Sequence, residues 1–155
     1  MPTELPTIKG LKELLGASYT EDIEWAWPDV TPKIYPCGSN ILVQLKVPRR
    51  KHKLPNGSFI ILPDESIDMD KVRSQTALVR AVGPAAFRHR TTLELWPEGA
   101  WCEPGSFIRT PMYGGDRMEV SIPGREAADT ALFVTFRDLD CLSIVIGDPL
   151  DIKTS

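Results

Sequence analysis

The hydrophobic positions of this chain fall into short runs separated by turn-forming residues. Mostly apolar runs occur at residues 41–47, 76–82, 131–136 and 141–146, and residues 118–122 alternate between polar and apolar side chains. Fourteen prolines and eleven glycines divide the chain into short pieces, which favours strands over helices. Short strands at this spacing predict an all-β protein, built as a small barrel or as a sandwich.

The first 35 residues differ from the rest and are interpreted as an N-terminal arm, followed by a β domain of residues 36–155. Residues 8–15 predict a short helix, for which Thr7 would be the N-cap and Gly16 the terminating residue. Apolar residues on a terminal arm need a surface to cover.

Two tryptophans of the arm, Trp25 and Trp27, precede Pro28 in the run Trp-Ala-Trp-Pro and are the predicted arm contacts. Large aromatic side chains are usually buried, so one interpretation is that the arm folds back on its own domain. The other interpretation is that the arm grips a neighbouring subunit. The sequence leaves both open.

An apolar cluster within a polar loop is the strongest local signal of a function. Phe59, Ile60, Ile61 and Leu62 interrupt an otherwise polar stretch between residues 47 and 73. Apolar side chains in such a loop are unfavourable in water unless another surface covers them. We therefore predict that these four residues contact a partner.

Composition places the chain among ordinary globular proteins. It has 155 residues, 42% of them hydrophobic, and a net charge of −3, which suits one domain with an appendage. Nothing in this charge predicts binding to nucleic acid or to a membrane, and the basic run at residues 49–53 is interpreted as a solvated loop. No apolar run is long enough to span a bilayer, and no signal-peptide pattern is present.

Motifs that would carry chemistry are not apparent. The three cysteines, Cys37, Cys102 and Cys141, have neither zinc-site spacing nor a disulfide pattern, and we expect reduced thiols in a cytosolic setting. The two histidines, His52 and His89, lie among basic residues in predicted loops. An acidic run at 64–70 lacks the glycine and terminal glutamate of a calcium loop. We expect no enzymatic activity, no metal and no cofactor.

Six segments of the chain, taken in order, resemble the GroES family of co-chaperonins, the lids of bacterial chaperonins. Residues 57–62 read Gly-Ser-Phe-Ile-Ile-Leu and are similar to that family's mobile loop, whose Gly-Gly-Ile-Val-Leu segment docks on the chaperonin. Residues 77–83 read Ala-Leu-Val-Arg-Ala-Val-Gly and are similar to the family's Gly-Glu-Val-Leu-Ala-Val-Gly strand. The matching segments are residues 36–43, 57–62, 77–83, 104–108, 113–115 and 131–140.

The resemblance implies a small GroES-like β-barrel that assembles into a ring through its first and last strands. Pairing of those strands between neighbours removes exposed sheet edges. The subunit interface implied in this way comprises Ile41, Val43, Leu45, Leu142, Ile144 and Ile146. The apolar loop would insert into a GroEL-like chaperonin in the cytoplasm of a host cell.

Two departures from the family pattern leave a second function open. The arm has no counterpart in the bacterial lid, and residues 85–101, at the position of the family's roof, carry tryptophans. Divergent members with added segments are encoded by some bacteriophages, which makes a bacteriophage source the expectation. The alternative function is a virion structural protein that keeps the fold, located in the virion and bound to other virion proteins.

Overall fold

The computed structural model describes residues 7–47, 51–53, 59–61, 75–111, 114–125 and 130–151, with the backbone alone for residues 51–53, 59–61 and 151. Its helices are α1 (Leu11–Leu15) and α2 (Glu21–Ala26), with 3₁₀ turns at Gly16–Ser18, Asp138–Asp140 and Pro149–Asp151. Its strands are β1 (Asn40–Leu45), β2 (Lys51–Lys53), β3 (Phe59–Ile61), β4 (Thr76–Val82), β5 (Phe107–Arg109), β6 (Asp116–Ser121), β7 (Thr130–Arg137) and β8 (Ser143–Ile144).

Six of the strands form one antiparallel sheet in the order β6-β7-β1-β4-β5-β8, while β2 and β3 pair only with each other. The prediction of a mostly β protein is therefore confirmed. Within the described ranges the sheet is open, with β6 and β8 at its two edges. Leu62, the acidic run at 64–70 and the first two residues of the basic run at 49–53 lie outside the described residues.

The position of β1 corrects half of the expected subunit interface. This strand lies in the middle of the sheet and pairs with β7 on one side and with β4 on the other. Ile41, Val43 and Leu45 are at most 1% exposed. Because both backbone edges of β1 are occupied within the chain, these three residues cannot pair with a neighbouring subunit, and that prediction is wrong.

Both faces of the sheet are covered by other parts of the same chain. On one face, β-strand residues such as Val43 and Val134 pack with a segment that follows β4, whose ring side chains include Phe87 and Trp101. On the other face, strand residues such as Leu78 pack with the arm. Because strands covered on both faces need apolar side chains at successive positions, residues 41–45 of β1 are apolar except for Gln44.

The helix predicted at 8–15 is shorter than expected. It begins at Leu11 rather than after Thr7, and its first backbone N–H is bound by a distant side chain: Leu11 N donates to Asp29 Oδ1 at 3.1 Å. A carboxylate from elsewhere in the arm thus takes the role expected of a local cap. The expected termination at Gly16 is confirmed, with φ 54°.

Candidate functional site

The predicted partner-binding segment lies on a small hairpin separate from the main sheet. Residues 59–61 form β3, and they pair antiparallel with β2 so that Phe59 is opposite Lys53, Ile60 opposite His52 and Ile61 opposite Lys51. Leu62 falls outside the described residues. Three of the four predicted residues therefore occupy one short strand, which has no partner in the six-stranded sheet.

The last strand leaves apolar side chains at an open sheet edge. Within β8, Ile144 is opposite Ile108 of β5 and is 46% exposed. Its neighbours are more exposed, at 60% for Leu142 and 95% for Ile146. An edge strand offers free backbone donors and acceptors, and exposed aliphatic side chains beside it favour pairing with another chain. That these three residues contact a neighbouring subunit stays a prediction, and their exposure at the sheet edge is consistent with it.

A β-bulge in β4 directs a cationic side chain toward the arm. Leu42 of β1 is opposite Ala81, while the next residue, Val43, is opposite Val79. Arg80 is thus the extra residue of β4, and bulges of this kind re-aim the side chain that they carry. Its side chain is 2% exposed and lies on the face covered by the arm.

The buried guanidinium of Arg80 is held by oxygen atoms. Nη1 donates to the Gln44 Oε1 atom at 2.6 Å and to the backbone oxygen of Val30 at 3.0 Å, and Nη2 donates to the backbone oxygen of Lys9 at 3.4 Å. A carboxylate oxygen of Asp29 lies 3.9 Å away. Burial lowers the pKa of Arg80 and the Asp29 carboxylate opposes this effect. The charge is therefore compensated mainly by groups of the arm.

Gln44 completes this junction from β1. Its Nε2 donates to the backbone oxygen of Pro28 at 2.9 Å, while its own backbone oxygen accepts a 3.0 Å hydrogen bond from Trp27 Nε1. The Trp27 ring is fully buried and packs edge-to-face on Phe107, with centroids 4.8 Å apart. Tyr19 OH donates to the Trp27 backbone oxygen at 2.8 Å. Trp27 thus contacts β1 through Gln44, β5 through Phe107, and the rest of the arm through Tyr19.

Trp25 has a different environment from Trp27. It is 36% exposed, and the guanidinium of Arg125 stacks 3.9 Å from its ring centroid. Arg125 also donates to the backbone oxygen of Trp25 at 3.0 Å. Both tryptophans predicted as arm contacts therefore contact their own chain.

Sequence reasoning did not identify Arg80 and Gln44 as contact residues. Each is a long polar side chain inside an otherwise apolar strand, Ile-Leu-Val-Gln-Leu in β1 and Ala-Leu-Val-Arg-Ala-Val in β4. Such residues are rarely fully buried without a partner. A long polar side chain within an apolar strand is therefore the sequence signal that could have identified Arg80 and Gln44 as contact residues.

The described residues form a buried polar junction between the arm and the sheet. Among them, no three side chains of histidine, cysteine, aspartate or glutamate come together as a metal site. No helix in the described part of the chain is long and apolar enough to cross a membrane. No protein-family model matches the chain, and no curated protein matches it.

Proposed function

We propose that the protein is a GroES-like co-chaperonin, an oligomeric lid that docks on a GroEL-like chaperonin through residues 59–62 and has no catalytic activity or cofactor of its own. The observation that carries this proposal is the position of β3, an apolar strand on a hairpin that takes no part in the six-stranded sheet. That the partner is a GroEL-like chaperonin is inferred from the resemblance to the GroES family.

The size of the hairpin supports weak and reversible docking. Its strands have three residues each, and an isolated hairpin of that length is marginally stable in water. Ordering a loop residue costs about 1–2 kcal/mol of backbone entropy, whereas burial of one aliphatic side chain contributes about 1.5–3 kcal/mol. A single loop therefore binds weakly, and several loops on one ring bind by avidity.

The proposed ring uses the open edge at β8. Because β1 is paired on both sides, the subunit contact falls to Leu142, Ile144 and Ile146. Closure of the sheet into a small barrel and assembly of several copies belong to the same proposal. The expected location is the cytoplasm of a bacterial host cell.

The deciding experiment is size-exclusion chromatography with light scattering, performed with and without GroEL and nucleotide. We expect an oligomer that joins the chaperonin only when nucleotide is present. Ile61→Asp should prevent that association while leaving the oligomer intact. Leu95→Asp is the matched control. It also replaces an aliphatic side chain with a carboxylate, but at a residue that is 49% exposed and lies outside the hairpin. Association that survives Ile61→Asp would contradict the proposal.

A virion structural protein is the second candidate, and the β8 edge is the observation that favours it. Permanent assembly contacts are more apolar than transient ones, and the three exposed aliphatic residues at this edge fit such a contact. An oligomer that ignores the chaperonin but is found in purified particles would establish this candidate in place of the first.

A further inference from the structure

The register of the β2–β3 hairpin places lysines beside its apolar residues. Two apolar residues of β3, Phe59 and Ile61, are opposite Lys53 and Lys51 of β2. Residues directly opposite each other in an antiparallel pair share a face, and successive residues of one strand alternate between faces. One face of the hairpin therefore carries both of these apolar residues together with both lysines, and we call it the lysine face.

The opposite face of the hairpin differs in composition. It carries Ile60 of β3, which is opposite His52 of β2. The two strands read Lys-His-Lys and Phe-Ile-Ile, so neither contains an acidic residue. The lysine face thus combines two apolar residues with two positive charges, in a chain whose net charge is −3.

We propose that the lysine face is the docking face of the hairpin, and that it binds an apolar groove bordered by carboxylates. This inference rests on the proposed function and adds the chemistry of the surface that receives the hairpin. It assigns to Lys51 and Lys53 a role in binding, in place of the solvated loop expected from the sequence.

The two lysines restrict which surface can cover the apolar residues beside them. An ammonium group is costly to remove from water unless an opposite charge meets it, so an uncharged groove is a poor partner. A groove with a basic border is worse, because like charges across an interface repel each other. A groove bordered by carboxylates accepts the apolar and the charged residues together, and it excludes partners that are merely apolar.

Opposite charges on the two partners also favour their encounter. Electrostatic attraction raises association rates by roughly 10- to 1000-fold, and this gain falls as the ionic strength rises. Each subunit of the proposed oligomer contributes one hairpin, so the effect of the two lysines is repeated at every loop that binds. Docking through the lysine face should therefore weaken with salt, whereas docking through apolar contacts alone should not.

The test is the affinity of the full-length protein for GroEL with nucleotide, measured by biolayer interferometry. Lys53→Gln and His52→Glu form a matched pair, because each lowers the net charge of −3 by one unit and the two adjacent residues lie on opposite faces. Lys53→Gln should weaken binding more than His52→Glu does. The double variant Lys51→Gln/Lys53→Gln should weaken it by roughly 10-fold or more. Light scattering should give every variant the mass of the wild type.

Salt provides the second measurement. Raising the ionic strength from about 0.1 M to about 1 M shortens the Debye length from about 10 Å to about 3 Å. The wild type should bind more weakly at the higher ionic strength, and the double variant should lose most of this dependence. If the wild type joins GroEL but Lys53→Gln and His52→Glu weaken binding equally, or salt affects the wild type and the double variant alike, the inference is overturned while the proposed function stands. A wild type that does not join GroEL contradicts both.

Discussion

Nη1 of Arg80 lies 2.6 Å from Oε1 of Gln44, and both side chains are buried between the central strands and the N-terminal arm. The arm contributes backbone oxygens to both residues, from Val30 to Arg80 and from Pro28 to Gln44. Because a buried polar group without a partner is costly, the two side chains make the position of the arm specific as well as stable.

Arg80→Ala should lower the free energy of unfolding by about 2–4 kcal/mol, because it leaves buried oxygen acceptors without donors. Urea denaturation followed by circular dichroism measures this. Arg137→Ala is the control, since the Arg137 side chain is 77% exposed and its removal should change stability by less than about 1 kcal/mol. If Arg80→Ala lowers the free energy of unfolding no more than Arg137→Ala does, the buried junction does not stabilise the fold.

Trp27→Ala should lower the free energy of unfolding by about 3–5 kcal/mol, since it removes a fully buried ring and the hydrogen bond to Gln44. Trp25→Ala should lower it by about 1 kcal/mol, since this ring is partly exposed and its described ring contact is with Arg125. Guanidinium denaturation of both variants gives the comparison. The reverse order of effects would mean that the arm is not docked as described.

Stability should decline above about pH 10 through Tyr19. Burial, followed by the carboxylates of Glu24 and Asp29, raises the pKa of this tyrosine. An unfolded tyrosine loses its proton near pH 10 while the folded one keeps it, so the folded state binds more protons and becomes less stable as pH rises. Below that pH the contribution is fully present. The free energy of unfolding between pH 9 and 11 should fall more steeply for wild type than for Tyr19→Phe, and parallel curves would refute this assignment.

Gly83→Ala should destabilise the protein by about 2 kcal/mol or more. A methyl group at Gly83 would meet the backbone oxygen of Gly38 and lie 2.7 Å from that of Asn40. Both oxygens already accept backbone hydrogen bonds, from Ala85 N and Gly83 N, so neither can move freely. Gly124→Ala is the control, because its positive φ of 80° adds strain of about 1–2 kcal/mol but no atom lies within 4 Å. Thermal unfolding of both variants tests whether the close approach outweighs backbone strain.

If the chain assembles as proposed, Ile146→Asp should dissociate the oligomer without unfolding the subunit. Ile146 is 95% exposed in the isolated chain, so a charge there costs little in a monomer but would be buried in a contact through β8. Light scattering measures the mass and circular dichroism the fold. Leu93→Asp, at a residue 54% exposed outside this edge, should leave the mass unchanged. An unchanged mass for Ile146→Asp would remove β8 from the interface.

The strands were predictable because their signal is local. Residues 41–47 and 76–82 have the apolar content of buried strands, and the observed β1 and β4 overlap them closely. Helix α2 had a local signal too: Thr20 accepts a hydrogen bond from Ile23 N, and acidic residues fill the first turn. Helix α2 was nevertheless not predicted.

The contacts that depend on pairing were not predictable. Whether β1 lies at an edge or in the centre of the sheet depends on strands more than thirty residues away, so Ile41 and its neighbours read equally well as an interface or as core. The bulge at Arg80 arises from the register between two strands, which single-strand periodicity does not contain. Sequence therefore suggested that the arm needs a surface, but not which one.

The docking of the arm also has a consequence for the order of folding. The hydrogen bonds from Arg80 to Val30 and to Lys9 span 50 and 71 residues of the chain. The arm and β1 are synthesised first, and the hydrogen bonds between Gln44 and the arm span only 16 and 17 residues. The hydrogen bonds of Arg80 to the arm, by contrast, require that β4 has been synthesised. We therefore expect the arm to reach its complete set of contacts only after β4 has joined the sheet.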